Sequence, residues 1–138
     1  VSEKAETRRT ATASGRVLVS PKVIELLRSG EVPKGDALGV ARVAGILGAK
    51  RTPDLIPLCH PLAISGVEVA LRVADDCIEI DSTVRTTDRT GVEMEALTAV
   101  SVAALTVIDM VKAVDKHAVI TDVRVTAKSG GKSGDWRL

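Results

Sequence analysis

Residues 93–114 read EMEALTAVSVAALTVIDMVKAV, and this stretch decides the fold. Its apolar side chains occupy nearly every side of a helix. A helix with this pattern is buried in a protein core. The longest uncharged run, 96–108, is shorter than the roughly 20 residues that a membrane-spanning helix needs. We therefore expect a buried core helix and no association with a membrane.

Strand patterns lie on both sides of this helix in the sequence. Residues 67–74 and 78–85 alternate between apolar and polar side chains, with a short turn between them. This pattern predicts a β-hairpin with one face in the core and one face in water. Two further strands are predicted, at 7–19 and at 119–128.

Two helices are predicted between the first strand and the hairpin. Ser20 followed by Pro21 is a typical helix start, and Gly30 is a typical helix end. Asp36 can cap the second helix. Three glycines interrupt that second helix: Gly39, Gly45 and Gly48. Because glycine lowers helix propensity, we expect these positions to allow close approach of another element.

The predicted order of elements is strand, two helices, two strands, helix, strand. Without one of the first helices, this order is the βαββαβ pattern of ferredoxin-like proteins. We therefore predict an α+β fold: a ferredoxin-like βαββαβ sandwich with an extra helix, whose antiparallel sheet is covered by helices on one face. Residues 1–138 are predicted to form a single domain, in which 1–6 and 129–138 are flexible.

The composition argues against several classes of function. The chain has 19 basic and 18 acidic side chains, which disfavours nucleic-acid binding by general neutralisation of phosphates. It has one Trp and neither Phe nor Tyr, which weakens an RNA-binding interpretation further, because little base stacking is available. The two cysteines, Cys59 and Cys77, are too few for a disulfide framework, so we expect a reducing cytoplasmic compartment.

A proline-rich loop at 51–62, RTPDLIPLCHPL, places Cys59 beside His60. Three interpretations stay open: a nucleophile with its base, two metal ligands, or a stiff loop that presents polar groups to a substrate. Neighbouring residues of an extended segment point to opposite sides, which disfavours a nucleophile–base pair. A zinc site needs three or four ligands, and the other histidine, His117, lies beyond the long helix.

Charged residues at both ends of the long helix are further candidates. Asp109 and Lys112 share one helical face inside an apolar stretch, so they form either an ordinary ion pair or an acid/base pair. Glu93 and Glu95 stand at the N-terminal end, where carboxylates favour the helix dipole. The segment 128–135, KSGGKSGD, lacks the spacing and the helix of a P-loop. A segment rich in Lys and Gly can contact a phosphate, but the residues alone favour a solvated tail.

Three stretches together resemble the MoaC family of molybdenum cofactor biosynthesis: KRTPDLIPLCHPL (50–62), TGVEMEALTAVSVAALTVIDMVKAV (90–114) and AKSGGKSGD (127–135). The resemblance implies an enzyme that converts a cyclised dihydroguanosine triphosphate, made from GTP, into a cyclic pyranopterin monophosphate and pyrophosphate. This is a phosphorus–oxygen lyase reaction. The resemblance further implies a homohexamer, a trimer of dimers, with the active site at a subunit interface. It implies neither a metal nor an organic cofactor.

The resemblance also implies roles for individual residues, motif by motif. It implies catalytic roles for three residues: Lys34, Asp109 and Lys112. It implies substrate contacts from eight residues: Leu58, Cys59, His60, Glu93, Met94, Glu95, Lys128 and, less directly, Lys50. Two other classes remain open, namely a non-catalytic nucleotide-binding ferredoxin-like module and a structural or regulatory oligomer.

The spacing of these residues predicts a shared site. Glu95 and Asp109 are fourteen positions apart, which is about 21 Å along a straight helix. This distance is too long for joint contact with one reacting centre. We therefore expect each site to combine the Asp109–Lys112 end of one chain with the Glu95 or loop region of another.

Overall fold

The computed structural model describes residues 6–132 and 134–138. The elements in chain order are β1 (Thr7–Leu18), α1 (Pro21–Ser29), α2 (Ala37–Lys50), α3 (Thr52–Leu55), β2 (Ile64–Val73), β3 (Cys77–Asp88), α4 (Glu93–Val111), β4 (Val119–Ser129) and β5 (Trp136–Arg137). They form an antiparallel sheet of order β2-β3-β1-β4-β5. The first four strands have the ferredoxin-like order, so the predicted fold class is confirmed.

The central strand, β1, separates a covered face of the sheet from an uncovered one. Ala11 and Ala13 are buried beneath the helices and pair with Val84 and Ser82 of β3. Alternate residues point away from the helices, where side chains are charged or polar. Arg16, for example, forms an ion pair there with an aspartate of β4. In β3, Ile80 and Val84 are buried whereas Asp81 and Arg85 are exposed, so the hairpin has the predicted wet face.

Helix α4 is buried against the sheet and α2, as its pattern predicts. By length and composition alone it could cross a bilayer, with a mean hydropathy of 1.7, yet 56% of that stretch is buried inside the fold. This burial is typical of a core helix. The helix ends at Val111 and not at residue 114, and Lys112 is its C-cap.

Two of the three glycines of α2 lie where that helix packs closely on α4. A Cβ atom on Gly45 would come within 2.9 Å of the carbonyl oxygen of Ala99, and one on Gly48 within 2.8 Å of the Val102 side chain. The prediction of close approach is confirmed at both positions. It is wrong for Gly39, whose Cβ would meet the Asp36 carboxylate that caps the same helix.

Two short elements were absent from the sequence-based prediction. Helix α3 lies inside the proline-rich loop, where the buried Thr52 hydroxyl donates to the Ala49 carbonyl at 2.9 Å. Strand β5 pairs Trp136 with Lys128, so the C-terminal segment turns back onto β4. The predicted flexibility of 129–138 stays a prediction. Of the other predicted flexible segment, 1–6, residues 1–5 lie outside the described residues, and its flexibility also stays a prediction.

Candidate active site

A cleft of about 720 Å³ lies beside the N-terminal end of α4. Four parts of the chain line it: the start of β1, the loop after α3, the segment that begins α4, and the end of β4 with its following turn. Seven of the predicted substrate-contacting residues line this cleft: Leu58, Cys59, His60, Glu93, Met94, Glu95 and Lys128. The eighth, Lys50, is exposed at the end of α2 and does not line it.

The three predicted catalytic residues form a separate cluster at the opposite end of α4. The Asp109 carboxylate lies 2.9 Å from the Lys112 ammonium and 3.6 Å from that of Lys34. Lys34 also donates a hydrogen bond to the Asp109 carbonyl oxygen at 3.2 Å. The neighbouring Lys112, followed by Lys34, lowers the pKa of Asp109, so this exposed carboxylate is held in its ionised form.

The cleft and the Asp109 cluster do not meet within one chain. Glu95 and Asp109 both lie on α4, whose rise per residue separates them by about 21 Å. Each group contains charged side chains suited to a substrate, but neither group includes all the predicted site residues.

The loop that carries Cys59 and His60 is anchored by the end of β3. The Asp88 carboxylate accepts hydrogen bonds from the backbone N–H groups of Ala63, at 3.1 Å, and Arg89, at 2.7 Å. These bonds lower the pKa of Asp88. The Thr86 hydroxyl donates to the Ala63 carbonyl at 2.5 Å. The loop is therefore fixed to β3 through both the N–H and the C=O group of Ala63.

Cys59 is half-buried in this loop and has the properties of a contact residue. Burial raises the pKa of its thiol, and the negative charge of Glu95 raises it further. A thiol with a raised pKa is a poor nucleophile at neutral pH. Of the three interpretations of the Cys59–His60 pair, these properties favour the stiff loop. Within the described ranges, 6–132 and 134–138, no group of three His, Cys, Asp or Glu side chains is arranged to hold a metal ion.

The two glutamates at the start of α4 have different environments. The Glu93 carboxylate lies 3.1 Å from the Lys128 ammonium and is partly exposed. Glu95 is only 3% exposed, and this burial is the main cause of its raised pKa, to which the charge of Glu93 adds. Glu93 is thus the ion-pairing carboxylate, whereas Glu95 is suited to hold a proton.

Arg9 and Lys132 also line the cleft; the sequence patterns pointed to Lys132 only as part of the segment 128–135, and Arg9 was missed. Arg9 is 8% exposed and its Nε donates to the Asp88 carbonyl oxygen at 3.0 Å. The signal for Arg9 was available in the sequence, because it precedes Ala11 and Ala13 at alternate positions of a strand. A charged residue on the apolar face of a strand often has a function.

Comparison with known proteins identifies the family of this chain. The model of the MoaC family matches residues 1–131. The chain belongs to the MoaC family. Its relatives include proteins named cyclic pyranopterin monophosphate synthase from Streptomyces griseus, 82% identical over 99% of this chain and 77% of that protein, and from Streptomyces coelicolor, 78% identical over 99% and 80%. A Mycobacterium tuberculosis relative, named cyclic pyranopterin monophosphate synthase 2, is 62% identical over 99% and 81%.

Proposed function

We propose that this MoaC-family protein is a cyclic pyranopterin monophosphate synthase of molybdenum cofactor biosynthesis. It converts the cyclised dihydroguanosine triphosphate made from GTP into cyclic pyranopterin monophosphate and releases pyrophosphate, as a cytoplasmic phosphorus–oxygen lyase. The observation that carries the proposal is the cleft, in which cationic side chains lie beside the buried Glu95. That combination suits a substrate with phosphates at one end and a ring with exchangeable protons at the other.

The charges of the site match the steps that the reaction needs. Loss of pyrophosphate requires stabilisation of developing negative charge, for which Lys34, Lys112 and Lys128 are suited. Ring opening and reclosure require transfer of protons to and from nitrogen and oxygen. Asp109 is ionised and can accept a proton, whereas burial raises the pKa of Glu95 and makes this carboxyl the better proton donor of the two. The loop residues Leu58, Cys59 and His60, with Met94, contact the substrate ring.

We further propose that each active site is shared between two subunits of a homohexamer. The separation of about 21 Å along α4 supports this arrangement, because one substrate cannot contact both clusters of a single chain. A twofold axis that sets two copies of α4 antiparallel would bring the Asp109 cluster of one subunit to the cleft of its partner. The assembly then contains two equivalent sites for each pair of chains.

Turnover of the cyclised dihydroguanosine triphosphate tests the proposed activity directly. We expect wild-type protein to release pyrophosphate and a pterin. Asp109→Ala and Lys112→Ala should each reduce kcat by at least about 100-fold, the usual contribution of a general acid or base. Lys116→Ala, at an exposed lysine beyond α4, is the matched control and should keep full activity. Binding of the triphosphate by wild-type protein without release of pyrophosphate would instead indicate a non-catalytic nucleotide-binding module.

Mixed oligomers test the shared site. We expect Asp109→Ala and Glu95→Ala homo-oligomers to be inactive. If their subunits are exchanged at random, half of the pairs contain one of each variant and regain one intact site of two, so about a quarter of wild-type activity should return. Mass spectrometry of the exchanged oligomers provides the control for mixing. Fully exchanged oligomers without activity would contradict a site shared between chains.

A further inference from the structure

Two hydroxyl side chains lie among the apolar side chains on the covered face of β3. This face presents Ile80, Ser82, Val84 and Thr86 at alternate positions, and each of the four is at most 2% exposed. Burial of a hydroxyl costs free energy unless the group forms a hydrogen bond. Neither hydroxyl-bearing residue lines the cleft. The role of Ser82 and Thr86 must therefore lie in the groups that their hydroxyls bind.

Ser82 binds the first turn of α4. Its hydroxyl donates to the Ala96 carbonyl oxygen at 2.7 Å. Ala96 directly follows Glu95, which lines the cleft. In an α-helix a carbonyl at this position is served by the N–H group four residues later. The bond from Ser82 is therefore an additional one, and it ties this turn of the helix, together with Glu95, to the sheet.

Thr86 binds another wall of the cleft, the loop that carries Cys59 and His60. Its hydroxyl donates to the Ala63 carbonyl oxygen at 2.5 Å. Ala63 is the last residue of this loop before β2 begins. The negative charge of Glu95 raises the pKa of the Cys59 thiol, so the loop and the start of α4 lie close to each other. One strand thus holds two neighbouring walls of the same cleft.

We propose that Ser82 and Thr86 are positioning residues, which set the distance across the cleft between Glu95 and the loop of Cys59 and His60. The proposal rests on the proposed function and extends it, because it assigns a role to two residues that do not touch the substrate. Strand β3 is paired on both sides, with β1 and β2, so it is a rigid base for this spacing. Misplacement of a catalytic group by about 1 Å can reduce a rate on the order of 100-fold.

Removal of each hydroxyl tests the proposal in the intact oligomer. Ser82→Ala and Thr86→Val should each lower kcat about 5- to 30-fold, since each variant loses one bond that holds a wall in place. The KM for the cyclised dihydroguanosine triphosphate should change by less than about threefold, because the cations suited to its phosphates are untouched. Ser82→Thr and Thr86→Ser keep the hydroxyl and should keep most of the activity.

Thr83→Val is the matched control for the loss of a hydroxyl from β3. Thr83 lies on the uncovered face of the same strand, where its hydroxyl is 3.4 Å from that of Thr12 on β1. It contacts neither wall of the cleft, so the variant should keep the kcat of the wild-type protein.

Hydrogen exchange followed by mass spectrometry gives a second measurement, which does not depend on turnover. Thr86→Val should speed exchange of the backbone amides in 58–64 about fivefold and leave 93–99 at the wild-type rate, since only the loop loses a bond. Ser82→Ala should speed exchange in 93–99 and leave 58–64 unchanged. A general loss of stability would instead speed exchange in both segments and in the strands of the sheet.

The outcomes separate this proposal from the proposed function. Folded Ser82→Ala and Thr86→Val proteins with wild-type kcat would overturn it, and so would an equal loss of kcat in the variants that keep the hydroxyl. A wild-type protein without turnover would reject the proposed function, and hydrogen exchange would then decide the positioning role alone. Exchange that rises in both segments, or in neither, would overturn that role. If Ser82→Ala does not fold, Ser82→Cys takes its place, because a thiol nearly keeps the volume and is only a weak donor.

Discussion

Glu95 shows how burial changes the pKa of a side chain. It is two positions from Glu93, yet Glu93 is paired with Lys128 whereas Glu95 is enclosed by the core. Burial raises the pKa of Glu95, so the folded protein resists its ionisation more than the unfolded chain does. Stability should therefore decline as pH rises from the ordinary glutamate pKa of 4.5 through the higher pKa of the folded state.

Glu95→Gln should remove this loss of stability. Below pH 4.5 both folded and unfolded wild-type chains hold the proton, so the variant and the wild type should differ little. At pH 7 to 8 the variant should melt a few degrees higher, because its side chain has no charge to bury. Thermal melts followed by circular dichroism across this pH range measure the difference. If the melting temperatures of the variant and the wild type differ by the same amount at pH 4 and pH 8, the raised pKa of Glu95 is contradicted.

Substitution of Cys59 tests whether the loop presents this thiol as a substrate contact or as a nucleophile. If its thiol only contacts the substrate, Cys59→Ser should lower kcat/KM by about 5-fold or less, because the hydroxyl is nearly isosteric. Cys77→Ser is the control: Cys77 is 3% exposed in β3, so the variant should lose stability and keep its turnover per folded molecule. Near-complete loss of activity in a folded Cys59→Ser protein would restore the covalent nucleophile as an interpretation.

At the scale of elements, the packing of α2 on α4 depends on glycine. Alanine at Gly45 would gain helix propensity, worth about 1 kcal/mol. Its Cβ would, however, lie 2.9 Å from the Ala99 carbonyl oxygen, a backbone atom that cannot rotate away. Overpacking of this kind usually costs about 1–3 kcal/mol.

We therefore expect Gly45→Ala to lower the free energy of unfolding by about 1 kcal/mol net. Gly48→Ala is the matched comparison and should be similarly harmful, because its new Cβ would lie 2.9 Å from the Val102 Cβ atom, which no change of rotamer moves. Urea denaturation measures both changes. A Gly45→Ala protein as stable as the wild type would show that the two helices can separate without cost.

The long elements could be predicted from sequence because each carries its own pattern. The apolar run of α4 and the alternation of β2 and β3 are local properties of the chain. Helix α3 and strand β5 have four and two residues, and their formation depends on contacts with distant segments. Arg9 differs from these elements, because its place on an apolar strand face was visible in the sequence. Its bond to the Asp88 carbonyl was not, since it forms only after strands β1 and β3 have paired.

At the scale of the whole molecule, α2 carries apolar side chains that the described chain leaves exposed. Val40, Val43 and Leu47 lie at helical spacing and are each about half exposed. Leu105 of α4, the helix packed against α2, is also exposed. Exposed apolar side chains that lie on one side of a helix often mark a surface that contacts another protein. The stripe therefore supports an assembly in which the helical side of one subunit contacts another subunit.

Leu47→Glu should disrupt that assembly, because it places a charge in an apolar interface. We expect multi-angle light scattering to give a lower mass than that of wild-type protein, with circular dichroism unchanged. Activity should fall together with the mass, since the Asp109 cluster of one subunit would no longer reach the cleft of its partner. Val119→Glu is the matched control, because it changes an exposed apolar residue of β4 outside the stripe. A fully active monomer of the Leu47→Glu protein would contradict both the interface and the shared site, since a single chain would then suffice for turnover.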